Sequence, residues 1–191
     1  FRVFEQFYSY QRKEDLNPQI EAVEDREHWR RERITIDSPY SEERLALFLF
    51  LPRDSQPPYQ TVAYCPGQGA WNKKSRDLDS VEDEVNEMLM LDFVSRSGRA
   101  VLFPIYVGTF GRKVEEPWRG CLSKELSVSI DYLETREDID TKKLAYYGFS
   151  VGGWLGPILT SLCEADPTLR WRQDGDVRQT IVEGMGEGSA L

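Results

Sequence analysis

Cysteine, histidine and basic charge are the scarce ingredients of this 191-residue chain. Its three cysteines, Cys65, Cys121 and Cys163, are odd in number and lack metal-like spacing. That argues against a disulfide framework and against a zinc site. The only histidine is His28, too few for the usual zinc or haem ligand set. No metal and no organic cofactor is implied. The chain has 24 basic against 33 acidic side chains, a net charge of −9, so it repels phosphate backbones and general nucleic-acid binding is not expected. Arg30, Arg31 and Arg33 form a local exception, read here as a solvated strand face beside Glu27 and Glu32. No apolar run of about 20 residues is present, so no membrane-spanning helix is expected. There is no initial Met and no visible signal peptide. Phe1-Arg2-Val3-Phe4 reads as the interior of something, and the expectation is a piece of a longer protein. Unpaired cysteines point to a reducing compartment, hence the cytoplasm.

What is present has the pattern of a single α/β domain over 1–191. Residues 1–27 mix aromatics with charges and form an N-terminal extension, with an extended piece around Gln19–Asp25. Alternation over Trp29–Asp37 predicts a strand. The apolar run Leu45–Leu51, closed by Pro52, predicts a second strand antiparallel to the first. Further strands are expected at Thr61–Cys65, Ala100–Phe103, Lys143–Tyr147 and Val177–Val182. Helices are expected at Val85–Ser97, stopped by Gly98, at Trp118–Leu133 and at Val151–Leu162. In the second of these, Leu122, Leu126, Ser129, Ile130 and Leu133 share one face. From Thr61 onward strands and helices alternate, the mark of βαβ units and a parallel sheet.

The most informative segment is Tyr147-Gly148-Phe149-Ser150-Val151-Gly152-Gly153. It contains G-x-S-x-G between an apolar strand and a helix. A sharp strand-to-helix turn there strains the serine, and the flanking glycines let neighbouring backbone approach without a Cβ clash. Ser150 is the candidate nucleophile of a nucleophile elbow. Acyl transfer also needs two amide donors for an oxyanion. The residue after the nucleophile, Val151, supplies one. The Gly-rich segment Cys65-Pro66-Gly67-Gln68-Gly69 after an earlier strand offers the second at Gln68. Gly148, Gly152 and Gly67 are the supporting turn residues. The bland alternative is a β–α turn with serine as N-cap.

These segments resemble the α/β-hydrolase superfamily, in its dienelactone-hydrolase, acetyl-xylan-esterase and prolyl-oligopeptidase-like branch. The resemblance is carried by Tyr59–Gly67, Ser97–Pro104 and Asp138–Ser150. Trp29–Pro66 is also similar to hydrolase domains that follow serine/threonine kinase domains in some bacterial proteins. The resemblance implies an α/β-hydrolase fold: a mostly parallel sheet, N-terminal antiparallel strands, and later strands that lie beyond this chain.

The superfamily's triad runs Ser, then Asp or Glu, then His, and no histidine follows Ser150. His28 precedes the whole parallel sheet and is not expected to serve as the base. Glu183 and Glu187 are candidates for the acid. Asp174 and Asp176 fall too early. The expected activity is therefore serine-dependent hydrolysis of a small-molecule carboxylic ester in the full-length protein, with the acid and histidine missing here and this piece alone inactive. Two alternatives stand beside it. One is a non-catalytic sensor or binding module of the same fold, attached to a kinase domain. The other is a serine peptidase of the prolyl-oligopeptidase type. Trp71, Trp118 and Trp154 either line a pocket or belong to the core.

Overall fold

The computed structural model describes residues 15–73, 89–113, 118–165 and 180–183. Seven strands form one sheet: β1 (Gln19–Asp25), β2 (Trp29–Ile36), β3 (Leu45–Pro52), β4 (Tyr59–Cys65), β5 (Ala100–Pro104), β6 (Ile139–Phe149) and β7 (Thr180–Glu183). Their spatial order is β1-β2-β3-β5-β4-β6-β7. β1, β2, β3 and β5 pair antiparallel in turn, while β5–β4, β4–β6 and β6–β7 are parallel. Among the described residues four helices accompany them: α1 (Gln68–Asn72), α2 (Leu89–Arg96), α3 (Trp118–Glu134) and α4 (Val151–Ala165).

Period-2 alternation distributes the strand side chains to two faces. Leu45, Leu47, Leu49, Ala63, Cys65, Leu102 and Tyr146 join a core with Leu122, Leu126 and Leu133 of α3 and Leu155 and Leu159 of α4. Their sequence neighbours Phe48, Phe50, Val62, Tyr64, Val101, Phe103 and Tyr147 form the second core, with Ala70 of α1 and Val94 of α2. The second face is rich in aromatic contacts, such as Tyr64 edge-on to Phe103 at 5.1 Å. Gly98 ends α2 with φ +82°, as its place in the sequence suggests.

Several expectations change. The Arg30–Arg33 face is not simply solvated: Arg31 and Glu32 are buried. β1 lies against β2, so Glu24 reaches Arg31 at 2.6 Å, and the Arg31 guanidinium sits 5.2 Å above the Phe48 ring. α3 is buried on nearly every side, not along one stripe. Its inward Ser123, Ser127 and Ser129 hydroxyls donate to carbonyls of the same helix, which makes them tolerable there. β6 starts at Ile139, four residues before the expected start at Lys143, because Tyr59 of β4 pairs with Ile139 across a shift in register. α1 is a short helix not anticipated in the Gly-rich segment after β4. Residues 1–14, the start of the first expected helix (85–88), 177–179, Asp174, Asp176 and Glu187 lie outside the described residues.

Candidate active site

Parallel strands bring their C-terminal ends to one edge of a sheet. Here β4 and β6 are neighbours in register, with Cys65 opposite Gly148. The chain leaving β4 and the chain leaving β6 therefore emerge side by side. The first turns through Pro66 and Gly67 into α1, and the second turns at Ser150 into α4.

Ser150 has φ +51°, a left-handed conformation that a residue with a side chain rarely adopts. Its carbonyl already accepts from the Trp154 amide at 3.0 Å, so Ser150 heads α4 while standing outside it. The flanking glycines answer to specific obstacles. A Cβ on Gly148 would lie 2.4 Å from the Gly152 carbonyl carbon and oxygen. One on Gly152 would lie 2.2 Å from the Cys65 carbonyl oxygen. The turn is drawn tight by the Gly152 amide, which donates to the Pro66 carbonyl at 3.1 Å. Tyr146 adds a brace that its sequence position does not advertise. Its buried phenol donates to the Gly152 carbonyl at 2.7 Å, and its ring lies where a Cβ on Gly156 would go.

The expected oxyanion residues come together around this turn. Gln68 and Val151 are the first residues of α1 and α4, and amides in a first helical turn have no partner within their own helix. Gly67, just before Gln68, approaches Ser150 directly: a Cβ there would be 3.3 Å from the Ser150 Cβ. Ser150 and Val151 are half-buried and Gln68 is exposed. Beneath them Cys65 is fully enclosed, and burial pushes its thiol up to about 12, so it remains a neutral thiol.

His28 lies at the other edge. It precedes Trp29, which pairs with Pro52 at the end of β3, whereas the start of β3 pairs with the end of β5. Its Nδ1 is 3.1 Å from Asp54. Glu183 is at the correct edge: it ends β7 in register with Phe149, the residue before Ser150. Its side chain is outside the described residues, as are those of Trp118 and Cys163. Trp154 is exposed on α4, and Trp71 is half-buried against both cores. Among the described residues no group of three or more His, Cys, Asp or Glu side chains is placed to hold a metal, and no helix is long and apolar enough to cross a membrane.

A second polar cluster borders the same edge. Glu125 of α3 is completely buried. It accepts from the Tyr40 phenol at 2.6 Å, from Arg112 Nη1 at 2.8 Å and from the Val107 amide at 2.8 Å. Burial raises the Tyr40 phenol, reinforced by Glu125, and keeps it a donor. Nothing in the sequence pairs these residues, which come from three separate segments.

No family model matches the chain, and no curated protein matches it in sequence. Solved structures do match its shape. A glucuronoyl esterase from Solibacter usitatus aligns with TM-score 0.60 at 16% identity, over 86% of this chain and 54% of that one. An acetyl xylan esterase from Paenibacillus sp. R4 aligns with TM-score 0.56 at 16% identity, over 78% and 51%. Acetyl xylan esterase 1 from Thermoanaerobacterium sp. JW/SL YS485 aligns with TM-score 0.58 at 9% identity, over 84% and 53%. The chain thus spans about half the length of the structures it resembles. With the sheet order, the parallel strands and the strained serine turn, these likenesses establish that the chain has the α/β-hydrolase fold.

Proposed function

We propose that this chain carries the nucleophile and oxyanion half of a serine hydrolase acting on carboxylic esters. The observation that carries the reading is Ser150 at φ +51°, hemmed by Gly148 and Gly152 and facing the Gly67–Gln68 turn. In this reading the Ser150 hydroxyl attacks the ester carbonyl and its proton passes to a base. The carbonyl oxygen takes the negative charge and receives the amides of Gln68 and Val151. Collapse expels the alcohol, which takes the proton, and leaves an acyl-serine that water hydrolyses by the same route. The base is a histidine supplied from outside these 191 residues, because His28 is held at the opposite edge. Glu183, in register with Phe149, is the candidate acid within the chain. Neighbours that are esterases for acetyl xylan and glucuronoyl substrates support esters over peptides.

A second reading is favoured by that same position of His28. If no histidine completes the site, the domain is a non-catalytic module that keeps the fold, a serine without a base, attached to a kinase domain. Measuring p-nitrophenyl acetate turnover by the full-length protein and its Ser150→Ala variant separates the two. The ester-hydrolase reading expects turnover that falls by about 10⁴-fold or more in the variant. Turnover unaffected by the substitution refutes the role of Ser150. Absence of turnover in both favours the non-catalytic module.

A further inference from the structure

The buried Glu125 cluster has no part in the chemistry just described, yet it grips the segment that leads to the oxyanion turn. β5 ends at Pro104, and residues 105–112 fold back along the site edge. This segment is tightly bent: Gly108, Phe110 and Gly111 have φ of +78°, +49° and +74°. Glu125 holds its two ends. One carboxylate oxygen accepts the Val107 amide at 2.8 Å, and the other accepts Arg112 at 2.8 Å. The same Arg112 Nη1 also donates to the Ile105 carbonyl. Tyr40, from the β2–β3 connection, closes the cluster with its 2.6 Å bond to Glu125. Three donors on two oxygens match an ionised carboxylate, which accepts only.

The middle of the segment is what touches the site. The Phe110 amide donates to the Ala70 carbonyl at 2.9 Å. Ala70 is the third residue of α1, two beyond Gln68, and its own amide bonds to Gly67 at 3.1 Å. The Phe110 ring is wedged edge-on against Phe103, 6.1 Å between centroids, which fixes where that amide points. A helix of five residues has little intrinsic stability. Its orientation must be imposed from outside, and Phe110 is a fixed point from which to impose it.

Resting on the ester-hydrolase reading, we infer that Glu125 is a positioning residue: through Val107, Arg112 and Phe110 it holds α1 so that the Gln68 amide faces the oxyanion formed at Ser150. Glu125 touches no substrate. Its effect is transmitted by the 105–112 segment alone, so it acts on transition-state stabilisation rather than on substrate binding.

The test uses the full-length protein with Glu125→Gln, which sets an amide NH2 against three donors. Glu32→Gln is the matched control. Glu32 is likewise buried and ion-paired, to Arg136, but that pair lies at the edge remote from Ser150. Two measurements are made on each: kcat and KM for p-nitrophenyl acetate per folded molecule, and hydrogen exchange at the Phe110 amide. Glu125→Gln is expected to lower kcat about tenfold, since loss of a whole oxyanion donor costs about 10²–10³, with KM within twofold. It is also expected to speed Phe110 exchange at least tenfold, whereas Glu32→Gln changes neither. If Glu125→Gln does not fold, Arg112→Met replaces it: this keeps much of the side-chain length but removes the Nη1 donor shared by Glu125 and the Ile105 carbonyl, and the same outcomes apply. Unchanged Phe110 exchange overturns the inference whether or not the protein turns over ester. Unchanged kcat in a protein whose turnover needs Ser150 overturns it too. Turnover that survives Ser150→Ala instead defeats the ester-hydrolase reading, and with it the link to Gln68, even where the exchange result stands.

Discussion

Gly152→Ala in the full-length protein is the sharpest single perturbation of the serine turn. The added methyl would lie 2.2 Å from the Cys65 carbonyl oxygen, 2.7 Å from its carbon and 2.8 Å from the Pro66 oxygen. All three are backbone atoms, two on the last residue of β4 and one on the residue after it, so no side chain can rotate away. Relief requires the start of α4 to retreat by roughly 1 Å, far enough to forfeit much of the dispersion contact along that seam. The retreat also pulls on two hydrogen bonds, Gly152 to Pro66 at 3.1 Å and Tyr146 to the Gly152 carbonyl at 2.7 Å. Overpacking of this kind costs about 1–3 kcal/mol, and each hydrogen bond about 1 kcal/mol. The expected loss is therefore about 3–5 kcal/mol, a large share of the roughly 5–15 kcal/mol that holds a domain together.

Gly69→Ala provides the comparison. It is the same substitution, one short helix away, where a Cβ meets nothing within 4 Å. In a helix, alanine is favoured over glycine by about 0.5–1 kcal/mol. Urea unfolding followed by tryptophan fluorescence, with linear extrapolation and a check that the slope is unchanged, gives both numbers. Gly152→Ala should fall well below the parent and Gly69→Ala should equal or exceed it. A loss under about 1 kcal/mol at Gly152, at unchanged slope, would refute the argument that backbone proximity dictates glycine there.

Two further outcomes follow from buried or paired groups. Cys65 is enclosed and its thiol pushed up to about 12, so iodoacetamide at pH 8 should leave it unmodified in the native protein and alkylate it fully in urea; peptide mass mapping that finds rapid native labelling would contradict its burial. Arg136 donates to both oxygens of Asp138, at 2.7 Å each, and these bonds hold the carboxyl below its ordinary range. A depressed acid stabilises the fold above its unfolded value and ceases to do so as pH falls through the folded one. The stability deficit of Asp138→Asn should therefore be full at pH 6 and shrink below about pH 4; a deficit constant from pH 6 to pH 3 would refute the pairing.

The turn at Ser150 was legible because its causes are local. Glycine spacing, an apolar strand before it and a helix after it all lie within a dozen residues. The core strands were legible for the same reason, since a short continuous apolar run such as Val62–Cys65 marks a strand covered on both faces. What escaped notice is held by distant partners. α1 contains Gly69 and follows Pro66-Gly67, a composition that argues for a turn, and its visible tertiary anchor is the amide of Phe110, forty residues later in the chain. The first residues of β6 include Asp140 and Lys142, which precede the expected strand and read as loop. This stretch is a strand because Ile139 pairs with Tyr59, while Asp140 is only half-buried and Lys142 stays exposed. Arg31 and Glu125 are two charges among many in the composition, and no local pattern marks either for burial. Among the described residues Glu24 and Phe48 meet the first, and Tyr40, Val107 and Arg112 the second. The division has a physical basis. A nucleophile must be strained by its nearest neighbours, and that strain is written in adjacent glycines. The donors that complete its chemistry need only be held still, and any rigid part of the fold can hold them.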